Sequence, residues 1–333
     1  MTDVTVKERN RLEPANEWYE ACRKVAANIR KTIPEPYTSR TFSGILGDIK
    51  ALPPKKALSL ISRKKGLGSR YAYLYVRYGI DGGRGYQACA VEALFSLLGA
   101  RKNEIIKGRV LDVGCAVGVT AGILKLEHVT GFDLFVDLLG AARSVDSLTG
   151  RVNNYITADM TQDWPFGTFF DTVVCGLVCH HLKTQTEVAA FFSNAHRVLK
   201  QHGSLIMTLP SGSISKTSDL LDLFDALENF GFEVNRELSG LVVSTDSSHS
   251  LFWMFLIIAG KVSEKKGTVF IHPDFGFPLF RTPVTREQKG AQARETVTKK
   301  RMVRHEHFKL LSAVELERNA FDTILDYSTV VLL

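Results

Sequence analysis

Residues 109–118, RVLDVGCAVG, constrain the fold of this chain more than any other stretch. A short β-rich run, residues 109–113, meets two glycines, Gly114 and Gly118, just before residues that can start a helix. Glycine lets a backbone turn sharply and approach a ligand without a Cβ in the way. The N–H groups exposed at the start of the next helix suit a carboxylate or phosphate. Alone, the loop implies only a nucleotide-like ligand at a strand–helix turn, because any tight turn of this kind can use glycines.

The residues downstream repeat the alternation. A helix is expected over 119–126, a strand over 129–133 ending in Asp133, a helix over 135–145 and a strand over 154–158 followed by Asp159 and Met160. A bulky apolar strand follows at 169–175, then an amphipathic helix at 187–200, a strand at 204–209 and a helix at 217–230 closed by Gly231. Two more strands are expected at 232–238 and 250–259, paired antiparallel at one end of the sheet. This pattern predicts an α/β fold, a Rossmann-like, mostly parallel seven-stranded sheet with helices on both faces. Asp112, Asp133 and Asp159 all fall at carboxyl ends of strands, where open α/β sheets bind ligands. Asp133 is placed to accept hydrogen bonds from two ribose hydroxyls. Asp159 can accept from an adenine amino group while Met160 covers the ring. On the residues alone, Asp112 and Asp133 could merely cap turns, but their joint placement favours binding, and Asp163 lies close enough to take the role of Asp159.

With 333 residues there is room for regions on either side of this unit. We divide the chain into an N-terminal, mainly helical cap over residues 1–85, a central domain over 86–262 and a basic C-terminal extension over 263–333 that packs on the core. Residues 40–80 read as helices and loops that carry Tyr71, Tyr73, Tyr75 and Tyr78, and Arg84 sits in a glycine-flanked turn. The tyrosines can line a substrate pocket or simply pack, and Arg84 can hold a carboxylate or simply face solvent.

The net charge of +7 is uneven. Residues 1–80 hold 16 Lys/Arg against 7 Asp/Glu, and residues 261–310 hold 12 against 5. Residues 81–260 hold 13 against 19. The basic excess therefore lies in the flanks, which can bind nucleic acid or an acidic partner, or be merely solvated. Five cysteines, an odd number with three of them in apolar runs, suit a reducing compartment. The polar start of the chain reads as no signal peptide. The longest apolar run, LFWMFLIIAG at 251–260, is half a membrane span and reads as a buried strand. A cytoplasmic protein without membrane contact is expected.

Taken together, RVLDVGCAVG, VTGFDLF, ITADMTQDWPFGTFFDTVVCGLVCHHL and RVLKQHGSLIMTLPSG resemble the motifs of the class I S-adenosylmethionine-dependent methyltransferase superfamily in order and spacing. The resemblance covers residues 86–260. It implies S-adenosyl-L-methionine as cofactor. Asp112, Gly114, Cys115, Ala116 and Gly118 would shape the methionine end, Asp133 and Leu134 the ribose site, and Asp159 and Met160 the adenine site. Cys175 and Gly176 would line the floor under the sulfonium. Ala116 departs from the pattern, since many members carry a third glycine there.

His180 and His181 are the acid–base candidates, although a His-Leu pair at this place often only packs. Cys175, Cys179 and the two histidines do not form a convincing ligand set, so no metal is expected. The segment CGLVCHHL is not the Asn/Asp-Pro-Pro-aromatic motif of amino-group methylation. No Pro-Cys nucleophile, paired-glutamate loop or catechol-type metal carboxylate set is apparent either. The acceptor expected is a small molecule with an O, N or C nucleophile. The alternatives are an RNA or protein acceptor gripped by the basic flanks, and a non-catalytic cofactor-fold partner.

Overall fold

The computed structural model describes residues 13–33, 52, 54–63, 66–80, 86–182, 184–210, 213–214, 217–244, 253–262 and 308–318. Arg84, residues 299–301 and the end of the chain from 319 lie outside the described residues.

Five parallel strands form the centre: β1 (Val110–Val113), β2 (Thr130–Asp133), β3 (Asn154–Thr157), β4 (Phe170–Gly176) and β5 (Leu199–Pro210). They lie in the order β3-β2-β1-β4-β5. Sequence order reverses on either side of β1, so the switch point falls between β1 and β4, where doubly wound sheets leave a crevice at the strand ends. The rest of the sheet is antiparallel. β8 (Trp253–Lys261) pairs with β5 from Ser204↔Gly260 to Pro210↔Met254. Along the other side of β8 run β6 (Phe232–Val234) and then β7 (Gly240–Ser244). β9 (Phe308–Ser312) completes the sheet by pairing with β7.

Among the described residues the sheet thus has nine strands where the sequence predicts seven. The expected strand at 232–238 ends at Val234, because Leu238 N–H turns back onto the Asn235 side-chain oxygen and backbone carbonyl, at 3.1 and 3.2 Å. The chain re-enters as β7 along the same partner. The expected antiparallel pair at the end of the sheet is present.

Residues of β1 alternate between two cores, as a strand covered on both faces must. Val110 packs in a cluster with Trp18, Ala88, Val119 and Leu138. Leu111 and Val113 pack in another with Phe191, Phe192, Leu223 and Phe224. The helices supplying these faces are α1 (Glu13–Thr32), α4 (Tyr86–Leu98), α6 (Val119–Leu124) and α7 (Val136–Thr149) on one side, and α8 (Gln185–Val198) and α9 (Thr217–Asn229) on the other. Between α1 and α4 come α2 (Pro54–Arg63), α3 (Leu67–Leu74) and a π-helical turn, Tyr75–Ile80; the short α5 (Lys102–Ile105) precedes β1.

Local chemistry sets the helix ends. The Thr184 hydroxyl accepts from Glu187 N–H, and the Glu187 carboxylate accepts from Thr184 N–H, a reciprocal cap that starts α8. Gly150, in the left-handed region, stops α7. Ser312 and Glu315 make a similar reciprocal cap for α10 (Ala313–Arg318). Among the described residues no helix is long and apolar enough to cross a membrane.

Candidate functional site

The loop after β1 is built around the carboxylate that ends β2. Gly114 N–H and Cys115 N–H both donate to the Phe132 carbonyl, at 2.8 and 3.1 Å, tying the loop to β2. Ala116 then takes φ 49°, the left-handed conformation that its expected glycine would hold without strain. That turn aims Ala116 N–H at Asp133 Oδ2, 3.0 Å away. Asp133 Oδ1 accepts from Phe135 N–H, also at 3.0 Å. The left-handed alanine is therefore explained by the bond it makes. Each oxygen of Asp133 retains a lone pair for a further donor.

Asp112, at 1% exposure, ends the same crevice from β1. Its Oδ1 accepts from Thr120 Oγ1 at 3.3 Å, and its buried Oδ2 has no partner. Sequence reasoning missed Thr120; the only signal was a hydroxyl in the first turn after Gly118. Burial pushes the Asp112 carboxyl up to about 7, against the Thr120 bond and with help from the charge of Asp133. Burial pushes Asp133, 8% exposed, up to about 6, opposed by the backbone N–H groups of Phe135, Ala116 and Leu134. Two buried carboxylates, one of which has an oxygen without a hydrogen-bond partner among the described residues, form a site suited to a cationic ligand that also carries hydroxyls.

The remaining predicted residues divide. Leu134 follows Asp133 at the mouth of the crevice and is half-buried. Asp159 Oδ1 accepts from Thr161 N–H and Oγ1, at 2.9 and 2.8 Å, so part of this carboxylate shapes the turn after β3. Met160 is half-buried beside it, and its carbonyl accepts from Trp164 Nε1 at 3.1 Å. The Cys115 thiol packs with Leu139, Ala142 and Tyr155, leaving its backbone to the loop.

Cys175 departs from the sequence expectation. Its thiol is fully buried, 3.2 Å from Cys179 Sγ, in the core formed with α8 and α9. The β pleat points it to the opposite face from Asp112, so only its backbone borders the crevice. Gly176 does open onto it. A Cβ there would meet only Thr120 and Thr208 hydroxyls, at 3.8 and 3.9 Å. Leu177 then takes φ 54°, held by its N–H on the Thr208 carbonyl and hydroxyl at 3.0 and 3.1 Å.

His180 and His181 lie in a 3₁₀ turn, Cys179–His181, after β4. Their ring centroids are 4.0 Å apart. Among the described residues no group of three or more His, Cys, Asp or Glu is placed to hold a metal ion.

Residues 111–207 match the family described as Methyltransferase domain. A Bacillus subtilis (strain 168) protein named "Putative methyltransferase YqeM" is 34% identical over 108 residues, 32% of this chain and 43% of that protein. The match thus spans less than half the length of that relative. A TehB-like SAM-dependent methyltransferase from Corynebacterium glutamicum is 22% identical, with 53% of this chain and 88% of that one covered and a TM-score of 0.38. Magnesium protoporphyrin IX methyltransferase from Synechocystis, solved with bound SAH, is 20% identical, with 53% and 83% covered and a TM-score of 0.40. Neither structure bears on the assignment at these TM-scores. The matched segment runs from the residue before Asp112 to Met207 in β5, and contains both carboxylates, the glycine loop and the histidine pair. Over residues 111–207 the chain is therefore similar to a methyltransferase domain.

Proposed function

We propose that this protein transfers a methyl group from S-adenosyl-L-methionine to a small-molecule acceptor. The observation that carries this reading is the pair of buried carboxylates, Asp112 and Asp133, at the ends of adjacent strands, with Asp112 Oδ2 lacking a hydrogen-bond partner among the described residues. The cofactor fits that donor set: its ammonium matches the unpartnered Asp112 Oδ2, and its ribose hydroxyls match the spare acceptor positions of Asp133. The N–H groups at the start of α6, after Gly118, suit its carboxylate. Asp159 and Met160 would border the adenine.

When bound, the cofactor supplies an electrophilic methyl on a sulfonium, the hard part of an in-line displacement. The chain holds the two reactants in line and excludes water. Gly176 keeps the floor open at the end of β4. His180 or His181 would take a proton from a nucleophile that carries one. The helices of the N-terminal region pack against α6 and α7 beside the crevice, a covering that favours a small acceptor over a macromolecule.

Two measurements test the reading. Titration calorimetry should show binding of S-adenosylmethionine by the full chain; no binding overturns it. Incubation with methyl-labelled cofactor and fractionated cell extract should place the label in the small-molecule fraction. Label in RNA or protein instead would assign the acceptor to the basic flanks, and binding without transfer to any fraction would make the domain a non-catalytic partner.

A further inference from the structure

Residues 158–169 cross from β3 to β4 and carry Asp159 and Met160. Trp164, 2% exposed, is the only buried side chain between Tyr155 and Phe170. A hollow of about 480 Å³ opens between residues 161–163 and Ala190, Ser193 and Arg197 of α8. Packing leaves the segment unsupported on that side, so hydrogen bonds must fix its course.

Two residues one turn apart on α8 supply those bonds. Asn194, 4% exposed, accepts from Trp164 N–H at 3.2 Å through Oδ1 and donates from Nδ2 to the Gln162 carbonyl at 2.9 Å. A donor on one side and an acceptor on the other allow the amide only this orientation. Arg197 donates to the Trp164 carbonyl at 2.9 Å, to the Phe166 carbonyl, and to Asn194 Oδ1 at 2.8 Å. The backbone of residues 162–166 is thus clamped to α8 through the carbonyls of Gln162, Trp164 and Phe166 and the N–H of Trp164.

Trp164 passes the clamp on to the site. Its ring meets those of Phe132 and Phe191 edge-on, at 5.2 and 5.5 Å, which fixes the plane of the indole. In that plane Nε1 donates to the Met160 carbonyl at 3.1 Å. The bonds of Asp159 to Thr161, and of Gln162 N–H to the Asp159 carbonyl at 3.1 Å, fold the turn on itself without placing it on the sheet. The indole bond places it, together with Ala158 N–H on the Asp133 carbonyl at 3.1 Å.

On the cofactor assignment made above, with Asp159 at the adenine amino group, we propose that Trp164 and Asn194 are positioning residues that set which base the site accepts. Both are buried and act through the turn. α8 sets Trp164, Trp164 sets the Met160 carbonyl, and the Met160 backbone carries Asp159 to its place beside the base. Hypoxanthine presents a carbonyl where adenine presents an amino group, so it faces the carboxylate with no proton to share. A site built to accept a hydrogen bond rejects such an analogue only while its acceptor is held in position. A loosened turn lets Asp159 withdraw, and the penalty on hypoxanthine falls.

The test uses the full chain and calorimetric affinities for S-adenosylhomocysteine and S-inosylhomocysteine. The unsubstituted protein should prefer the adenine compound by at least about tenfold. Trp164→Phe should lower that ratio by about fivefold, the scale of one lost hydrogen bond. Asn194→Asp keeps the acceptor for Trp164 N–H, loses the donor to the Gln162 carbonyl, and should lower the ratio in the same direction. 3-Benzothienylalanine at position 164 keeps the shape of the indole and removes only its N–H, so it tests the proposal even if the phenylalanine variant does not fold. A purely structural role would lower the melting temperature and leave the ratio as it was, and that result overturns the proposal. An unsubstituted protein that binds both compounds equally would remove Asp159 from the adenine, and the proposal with it, while leaving the cofactor assignment standing. Failure to bind either compound would overturn the cofactor assignment itself.

Discussion

The indole of Trp18 lies flat against Gly122, so close that a Cβ on residue 122 would stand 2.2 Å from Trp18 Nε1 and Cε2. Gly122 is in the middle of α6, the helix that opens directly from the glycine loop. α1 is thereby seated on the helix that follows the glycine loop. The Tyr19 hydroxyl donates to Glu92 on α4 at 2.7 Å, fixing the rotation of α1 about its axis.

Filling or emptying this contact should therefore unfold more than α1. Trp18 is 1% exposed, and Trp18→Ala should cost about 3–5 kcal/mol, as large-to-small changes at buried aromatics do. Urea unfolding would measure it. Gly122→Ala should also destabilise, despite the better helix propensity of alanine, because the indole must move. A Gly122→Ala protein as stable as the parent would show that the contact yields without cost.

Asp133→Ala should abolish detectable binding of S-adenosylmethionine while far-UV circular dichroism stays unchanged. The substitution removes the proposed ribose acceptor and frees two N–H groups, those of Ala116 and Phe135, that shape the loop. Hydrogen bonds to a charged group contribute about 1.5–3 kcal/mol each, so a loss of at least 100-fold in affinity is expected. Unaltered affinity would remove Asp133 from the site.

The two carboxylates set a pH dependence with opposite signs for the free and bound protein. Both are raised from the ordinary 3.8, Asp112 to about 7 and Asp133 to about 6. The folded state without ligand therefore binds protons more tightly than the unfolded chain. Its stability should fall as pH rises from about 4 to about 7, and level off above that. A cationic ligand needs the ionised forms, so cofactor affinity should climb over the upper part of this window. Thermal melts with and without cofactor at each pH would show a growing ligand-induced shift. A shift independent of pH would mean that neither carboxylate titrates there.

Gly114 has φ +68°, and a Cβ on it would fall 2.5 Å from Val178 Cγ2 in the loop after β4. Gly114→Ala should therefore push the two crevice loops apart and weaken cofactor binding. Val178→Ala in the same chain should restore part of the affinity, because it relieves the clash but not the backbone strain. Affinities that simply add across the pair would show that the loops do not press on each other.

The parallel half of the fold was legible because strands and helices alternate along it, with Gly114, Asp133, Asp159 and Gly176 at or just past the ends of four of its strands. Asp112 and Asp133 could be placed from spacing alone, and the structure brings both to one crevice. The opposite end of the sheet was not legible. β7 is five residues long and follows a turn at Asn235 that breaks an otherwise continuous strand pattern. β9, FKLLS, is a short apolar run inside a basic stretch, and only pairing with β7 makes it a strand. The tyrosines at 71, 73 and 75 alternate as one face of a strand would, yet they lie on α3 and a π-helical turn. Pitch altered by that turn is invisible to a periodicity of either two or 3.6. Cys175 was misjudged for a simpler reason: spacing locates a residue at the end of a strand, but the pleat decides which face its side chain takes.

Because Trp18 has its seat at residue 122, α1 leaves the ribosome about a hundred residues before that contact can form, although α3 and α4, which it also meets, emerge sooner. Throughout that interval its apolar stripe, with Trp18, Ala21, Cys22 and Val25 among its buried members, has only part of its native surroundings. β9 faces the reverse situation, since β7 is finished long before Phe308 emerges, and must wait with one edge bare. The nascent chain is thus exposed at both ends of the sheet's assembly, early through a helix and late through a strand, and holdase binding during translation would be expected to concentrate on those two intervals.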